Sequence, residues 1–201
     1  MGYAREVKRR LFEVAWSTPI GQLTAIEPRP TEVEAHARAL AAAYNDPRNA
    51  PLLGHEAALS EADVVEHYET LLGEGAHPFL LLLDGELAGD ADLRGIAAGA
   101  AEFAFLIAAP SAQGKGLGTR FALMVHGFGF AQLGLRRIYA SIVPANVASR
   151  RVFEKLGHTV DSSAAARAYA DADDDVMTSI DRPTFDRLHA PAMEQIRIHM
   201  R

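Results

Sequence analysis

The sequence predicts one domain of the mixed α/β or α+β class, with a mixed central sheet flanked by helices. The chain has 201 residues, 49% of them hydrophobic and 23% charged, which suits one domain with a substantial core. The apolar periodicity gives a strand, two helices, three strands, a helix, a strand, a helix and further strands. We expect the domain to span residues 23–181, with extensions at 1–22 and 182–201.

The first half of the chain predicts two helices followed by a hairpin. Residues 23–27 form a short strand, and Arg29-Pro30-Thr31 provides a turn and N-cap for a helix over 32–44. Ser60 and Asp63 have the spacing of a capping box for a second helix, ending near 72. The strands 79–83 and 86–93 are joined by Asp84-Gly85, the spacing of an antiparallel hairpin.

The second half alternates strands and helices. Residues 103–107 form a strand, and apolar residues between 117 and 128 recur along one face of a helix. Residues 138–143 form the next strand. Asn146 then caps a helix that ends at Gly157, and weaker strands follow near 158–160 and 176–180.

Charge and composition exclude several functions. The 20 Lys and Arg against 26 Asp and Glu give a net charge of −6, which disfavours nucleic acid and anionic membranes as partners and favours a cationic substrate. The sequence has no cysteine and no metal-binding histidine pattern, so we expect no covalent thiol chemistry and no metal. With no signal peptide or membrane span recognised, a cytoplasmic location is expected.

The segment between the strand 103–107 and the following helix is rich in glycine. It reads Gln113-Gly114-Lys115-Gly116-Leu117-Gly118-Thr119. Glycines let backbone amides approach an anion, and a helix N-terminus adds partial positive charge, so a pyrophosphate would suit this loop. The position of Lys115 differs from that of a Walker loop, and the glycine spacing differs from a dinucleotide fingerprint. A turn without a ligand remains the alternative.

Two motifs in order resemble the GNAT superfamily of acetyl-CoA-dependent N-acetyltransferases. Gln113-x-x-Gly116-x-Gly118 resembles the Q/R-x-x-G-x-G/A signature of that superfamily. Asn146-x-x-Ser149, continuing through residues 153–157, resembles the branch that includes the ribosomal-protein N-terminal acetyltransferases, as does the segment 133–138. The resemblance covers about 79–157 and implies the GNAT fold, with a sheet splayed at its fourth core strand.

The resemblance implies a site for acetyl-CoA as co-substrate. The splayed strand and Asn146 would contact the pantetheine arm, the glycine-rich loop would hold the pyrophosphate, and Ser149 would lie near the departing thiol. The implied cofactor-binding residues are Leu106, Ile107, Ala108, Gln113, Gly114, Lys115, Gly116, Leu117, Gly118, Thr119, Asn146 and Ser149. Asn146 as an ordinary N-cap and Ser149 as a hydroxyl bonded within its own helix are the alternatives.

Glu102 is the predicted general base, with Ser149 as the second catalytic candidate. Glu102 lies 11 residues before Gln113, the spacing of the catalytic glutamate in histone acetyltransferases of the superfamily. Strand alternation places Glu102 opposite the face of Phe103 and Phe105, and a partly desolvated carboxylate can deprotonate an ammonium. A solvent-facing glutamate is the alternative.

Two positions depart from the family pattern. Phe153 replaces a tyrosine that in many members protonates the coenzyme A thiolate, and Ser141 replaces a glutamate found in some bacterial N-terminal acetyltransferases. The acid must therefore come from another group, such as Ser149, Tyr139 or water, unless the thiolate leaves unprotonated.

The predicted function is acetyl transfer to a primary amine, directly within a ternary complex. The acceptor is a protein N-terminus or a small cationic amine such as a polyamine or an aminoglycoside. Four carboxylates, Asp171 and Asp173 to Asp175, lie before the last predicted strand and could attract such a cation, although a solvated acidic loop explains them better, because runs of charge usually serve solubility. An acyl-CoA sensor with little turnover is the alternative, favoured by Phe153. A homodimer is left open.

Overall fold

The computed structural model describes residues 9–53, 57–108 and 116–201. The nine strands are β1 (Phe12–Thr18), β2 (Gly21–Ile26), β3 (His77–Leu83), β4 (Glu86–Ala97), β5 (Ala100–Ile107), β6 (Arg137–Ile142), β7 (Thr159–Val160), β8 (Val176–Asp181) and β9 (Arg197–Met200). The helices are α1 (Pro30–Tyr44), α2 (Glu61–Gly73), α3 (Leu117–Ala131), α4 (Val147–Leu156), α5 (Ala164–Arg167) and α6 (Arg182–Met193). A 3₁₀ turn covers Ala50–Leu52.

The strands form one sheet in the order β7-β8-β6-β5-β4-β3-β2-β1-β9. Neighbouring strands are antiparallel throughout, except for the parallel pair β5 and β6. A parallel pair needs a crossover connection, and α3 supplies it. The mixed sheet with flanking helices confirms the fold class predicted from the sequence.

Helices cover both faces of the sheet. On one face, α1 and α2 pack on Ile26, Leu80 and Leu106. On the other, α3, α4 and α6 pack on the larger core, which includes Phe79 and Phe103. β5 lies between the two helix layers, and its buried residues are Ala101, Glu102, Phe103 and Leu106.

Local sequence signals set several element ends as predicted. Ser60 and Asp63 form a complete capping box at the start of α2. Asn146 caps α4 by accepting a hydrogen bond from the Ser149 amide, and Gly157 ends α4 with φ of +89°.

The described parts of the two segments expected to be extensions contribute strands to the sheet. β1 pairs with β2, β9 pairs with β1, and the boundaries drawn at 22/23 and 181/182 therefore fall inside one continuous structure. Val14 is fully buried, and the Glu27 carboxylate accepts a hydrogen bond from the Phe12 amide. Arg201 binds the Glu27 carbonyl and the Glu32 carboxylate. These polar contacts, invisible in the apolar pattern, hold β1 and the C-terminal residue in place.

In the part of the chain that the structure describes, no helix is long and apolar enough to cross a membrane.

Candidate active site

The parallel strands β5 and β6 separate after three residue pairs. They pair from Ala100 with Arg137 to Glu102 with Tyr139, and beyond this point the two strands diverge. Antiparallel pairing continues on the other side of β5 as far as Ile107. Because alternate residues of a strand direct their backbone groups to opposite neighbours, the backbone of Phe105 points into this gap.

Glu102 lies at the point where the gap opens. The gap leads into a cavity of about 540 Å³ that extends beneath α1 and α2 and along α4. β5 contributes residues 102–106 to its walls, β6 and the following loop contribute 141–143, and α4 contributes Asn146 and Ser149. The splay implied by the family resemblance is therefore present.

α3 follows β5, the strand that borders the gap, in the chain. Gly116 precedes the helix with φ of +75°, a left-handed conformation that other residues adopt with strain. A Cβ on Gly118 would lie 3.2 Å from the Phe105 ring, so glycine permits close packing of α3 on β5. Leu117 is buried and Thr119 is partly exposed. Gln113, Gly114 and Lys115 lie outside the described residues.

The predicted backbone contacts of β5 differ from one residue to the next. The Ala108 amide donates to the Ala88 carbonyl, so it is engaged with the preceding hairpin. Leu106 pairs with Asp90, and its side chain packs with α1 and α2. Ile107 packs against the opposite core. The strand thus presents alternate backbone groups to the gap, and Ala108 is not among them.

On α4, both predicted residues line the cavity. The Asn146 Oδ1 atom accepts from the Ser149 amide at 2.9 Å, so this oxygen serves as the helix cap. Ser149 lies one turn into the helix, on the cavity side. Phe153 is buried against Phe103 and Phe105 and has no proton to donate.

The cavity is strongly acidic. Its carboxylates are Asp63, Asp90, Asp92, Glu102, Asp171 and Asp175, and Arg94 is the one Lys or Arg among its described lining residues. Five of the carboxylates and Arg94 come from β4, β5 and the loop after α5. Such a lining produces a negative potential that favours cationic ligands.

Glu102 is buried and held by Arg94. The guanidinium donates to both Glu102 oxygens, at 2.9 and 3.0 Å, and also to Asp171, at 3.0 and 3.2 Å. Burial raises the pKa of Glu102, and the hydrogen bonds from Arg94 oppose that rise. The side chain has the orientation expected for a base, but it is not a free carboxylate.

Two aspartates on β4 share the face of Glu102. Asp90 accepts hydrogen bonds from the hydroxyls of Tyr44 and Tyr68, and burial raises its pKa to about 6. Asp92 is also buried, with a pKa raised to about 7 by burial. Its Oδ1 atom is shielded from solvent and has no hydrogen-bond partner.

Two of the four aspartates in the acidic loop after α5 line the cavity. Asp171 binds Arg94, and Asp175 accepts a hydrogen bond from Ser141 at 2.6 Å. Both line the cavity, whereas Asp173 and Asp174 do not.

Asp90, Asp92 and Arg94 line the cavity but were not predicted as site residues from the sequence. They occupy alternate positions of β4, and the register places Arg94 opposite Glu102 and Asp92 opposite Ala104. Charged residues at every second position of a strand otherwise rich in apolar and small residues were the available signal, because strand periodicity places them on one face.

Comparison with known proteins identifies the family. The sequence model of the acetyltransferase (GNAT) domain matches residues 26–159, about two thirds of the chain. The chain belongs to this family. The family resemblance predicted from the two motifs is therefore confirmed, and the acetyltransferase class that it implied is the class of this family. Among the described residues, no group of His, Cys, Asp and Glu could hold a metal ion.

Individual relatives match over different lengths. The spermidine N(1)-acetyltransferase of Escherichia coli K12 is 36% identical over 85 residues, 41% of this chain and 45% of the relative. Human alpha/beta-tubulin-N-acetyltransferase 9 is 44% identical over 55 residues, 27% of each chain. Each match therefore spans less than half of the curated relative.

Solved structures extend the similarity to the whole fold. Mycobacterium smegmatis RimJ in complex with CoA-disulfide is 20% identical with a TM-score of 0.73, covering 92% of this chain and 96% of RimJ. The aminoglycoside acetyltransferase AAC(6')-Ib in complex with coenzyme A is 25% identical with a TM-score of 0.65, covering 77% and 94% of the two chains.

Proposed function

We propose that this GNAT domain transfers an acetyl group from acetyl-CoA to a primary amine of a small molecule with more than one positive charge. The single observation that carries the proposal is the position of the β5–β6 gap at the edge of an acidic cavity. The gap suits the pantetheine arm, and the cavity beside it suits a cation. Donor and acceptor would then meet near Glu102.

The residues around the gap fit acetyl-CoA. Amides at the start of α3, from Gly116 to Thr119, would hold the pyrophosphate, with Gln113, Gly114 and Lys115 completing that loop. The diverging backbone of β5 and the side-chain amide of Asn146 would bind the pantetheine arm. Acetyl-CoA supplies the activated thioester. Ser149 would lie beside the departing sulfur, as the family resemblance implies.

The acceptor class follows from charge. Six carboxylates and one arginine line the cavity, so a dication or polycation gains more from this site than a singly charged peptide N-terminus. Spermidine, named for one relative, and the aminoglycosides, named for one structural neighbour, are amines of this kind.

An acyl-CoA sensor with little turnover is the second candidate. The Arg94–Glu102 pair favours it, because it engages the expected base. The sensor would also need a filled acceptor cleft, and the described part of the N-terminal segment, residues 9–22, does not line the cavity. The enzyme therefore remains the better supported function.

Thiol release tests the proposal. Purified protein is titrated with acetyl-CoA by calorimetry and then assayed with spermidine, an aminoglycoside and peptides with free N-termini. We expect binding, and release with the polycationic amines at a higher kcat/KM than with the peptides. Preference for a peptide would show that the acceptor is a peptide N-terminus and not a polycationic amine. Acetyl-CoA binding without any thiol release would favour the sensor.

A further inference from the structure

One carboxylate of the acidic cavity differs from the others in its hydrogen bonds. Glu102 and Asp171 are both bound by Arg94, and Asp175 is bound by Ser141. Asp90 is bound by two tyrosine hydroxyls. Each of these groups has lone pairs committed to a donor. Asp92 accepts a hydrogen bond from none of these donors, and its Oδ1 atom forms only a long ion pair with Arg94.

The surroundings of Asp92 leave its carboxylate incompletely satisfied. Its Oδ1 atom is buried without a partner, and the Arg94 Nε atom is 3.9 Å away, beyond hydrogen-bond distance. An unpaired oxygen in a buried site has a high free energy, which binding of a proton relieves. Only about 8% of Asp92 is exposed, so bulk water does little to stabilise its charge.

Asp92 also lies where an acceptor amine would bind. It lines the cavity on the same face of the sheet as Glu102, one strand further from the gap. Its partner across the β4–β5 pair is Ala104, whose side chain is a single methyl group. No bulky side chain at that position separates the carboxylate from the cavity above β5.

We propose that Asp92 is the general base that removes a proton from the acceptor ammonium, while Arg94 and Glu102 form a fixed pair that positions it. This assignment rests on the proposed function and changes the role expected for Glu102. Glu102 becomes a positioning residue instead of the base, because both its oxygens are already bonded to Arg94.

The charged groups around Asp92 suit this role. Burial raises its pKa to about 7, Arg94 opposes the rise, and Asp90, Glu102 and Asp171 add to it. The other titratable groups facing this region are the hydroxyls of Tyr44 on α1 and Tyr68 on α2, with Asp63 and His67 of α2 and Asp175 of the loop after α5 further along the cavity. A base with a pKa near neutrality is both ionised in a useful fraction and strong enough to accept a proton.

The proton balance of the step is complete. The ammonium gives one proton to Asp92, and the neutral nitrogen attacks the thioester carbonyl. As the C–N bond forms and the C–S bond breaks, the nitrogen loses a second proton, which ends on the departing sulfur. One hydrogen remains on the amide, and Asp92 returns its proton to solvent before the next cycle.

The test compares pH profiles of three variants, using the amine that gives the fastest thiol release with the wild type. Asp92→Asn should lower kcat/KM by about 10²- to 10⁴-fold and remove the inflection near pH 7, with acetyl-CoA affinity unchanged. Glu102→Gln should lower the rate but retain the inflection. Glu86→Gln, an exposed position on the same strand, is the matched control and should behave as the wild type.

A fold defect and a chemical role are separated by rescue. Asp92→Ala leaves space for a small carboxylate, so added formate should restore part of the lost rate, an effect that a purely structural role would not give. Thermal unfolding of each variant checks the fold.

The possible outcomes are distinct. Loss of the inflection in Glu102→Gln and its retention in Asp92→Asn would overturn the assignment and return the base to Glu102. An unchanged rate in Asp92→Asn would also overturn it. Failure of the wild type with every amine would overturn the proposed function itself, and the base with it.

Discussion

Two neighbouring residues of β5 face two buried titratable clusters with opposite character. Phe103 packs against His126, which lies 3.0 Å from His158 through their Nε2 atoms. Glu102, on the other face, joins the acidic group around Arg94. His126, His158 and Glu102 are all buried, yet the two clusters differ in how completely their polar atoms are bonded.

The histidine pair is fully hydrogen-bonded in its neutral form. The His126 Nδ1 atom donates to the Ala122 carbonyl, so its Nε2 accepts from His158. The His158 Nδ1 atom then accepts from the Thr178 hydroxyl. Burial lowers the pKa of His126 to about 3 and lowers that of His158 as well. Such a pair suits structure and leaves no group for chemistry.

The acidic cluster is bonded except at Asp92, and it borders a cavity. The comparison indicates that buried charge alone does not mark the reactive group. The informative feature is the atom that its neighbours leave unpaired next to space for a ligand.

The largest expected effect on stability comes from replacing Arg94, at the centre of the acidic cluster. Arg94→Met removes the donor that holds Glu102, leaving a buried carboxylate without its partner. We expect a loss of about 3 kcal/mol in the free energy of unfolding, measured by chemical denaturation at pH 7.5.

Two further variants sharpen that result. Arg182→Met removes an exposed pair with Asp186 and should leave the denaturation midpoint unchanged. Arg94→Met combined with Glu102→Gln should recover part of the lost stability, because the buried charge is removed. A midpoint for Arg94→Met equal to that of the wild type would contradict the account.

The histidine pair should destabilise the fold in acid. Its folded-state pKa values lie below those of the unfolded chain, so the unfolded state binds more protons as pH falls below about 6.5. The stability contribution is therefore lost as pH falls, by about 1.4 kcal/mol per pH unit for each histidine. Replacing both His126 and His158 with phenylalanine should remove this slope in urea titrations between pH 5 and 7.

Asp92 should give a slope of the opposite sign. Its pKa is raised on folding, so its ionisation destabilises the fold as pH rises from about 4 to about 7. Asp92→Asn should thus be more stable than the wild type at pH 8, with the difference vanishing near pH 4. Equal stability at both pH values would show that Asp92 is not desolvated as described.

The features that could be predicted from the sequence are those that depend on the local pattern of residues. The caps at Ser60 and Asn146, the hairpin at Asp84-Gly85 and the separation of Glu102 from the face of Phe103 follow from short-range spacing, and the structure confirms them. The β4–β5 register, which brings Arg94 onto Glu102, depends on pairing between strands and was not visible in either strand alone. β1 and β9 lie outside the domain bounds predicted from the sequence, because strand pairing and polar contacts, such as that of Arg201 with Glu32, hold them in the sheet.

The smallest expected effect on stability comes from replacing Asn146, and two variants distinguish its role as the cap of α4 from a contact with acetyl-CoA. Asn146→Ala removes the cap of α4 and should cost about 1 kcal/mol in the free energy of unfolding. Asn146→Asp keeps an oxygen acceptor for the Ser149 amide but lacks the side-chain N–H. It should retain most of the stability and bind acetyl-CoA more weakly in calorimetry. Unchanged affinity in Asn146→Asp would leave Asn146 as a cap alone.

A crystal structure of the protein with coenzyme A and a polycationic amine would show directly whether donor and acceptor meet at the acidic cavity. We expect the coenzyme sulfur at the β5–β6 gap and one amine nitrogen within about 3 Å of the Asp92 carboxylate. An amine nitrogen bound only outside the acidic cavity, or a coenzyme that bypasses the gap, would contradict it.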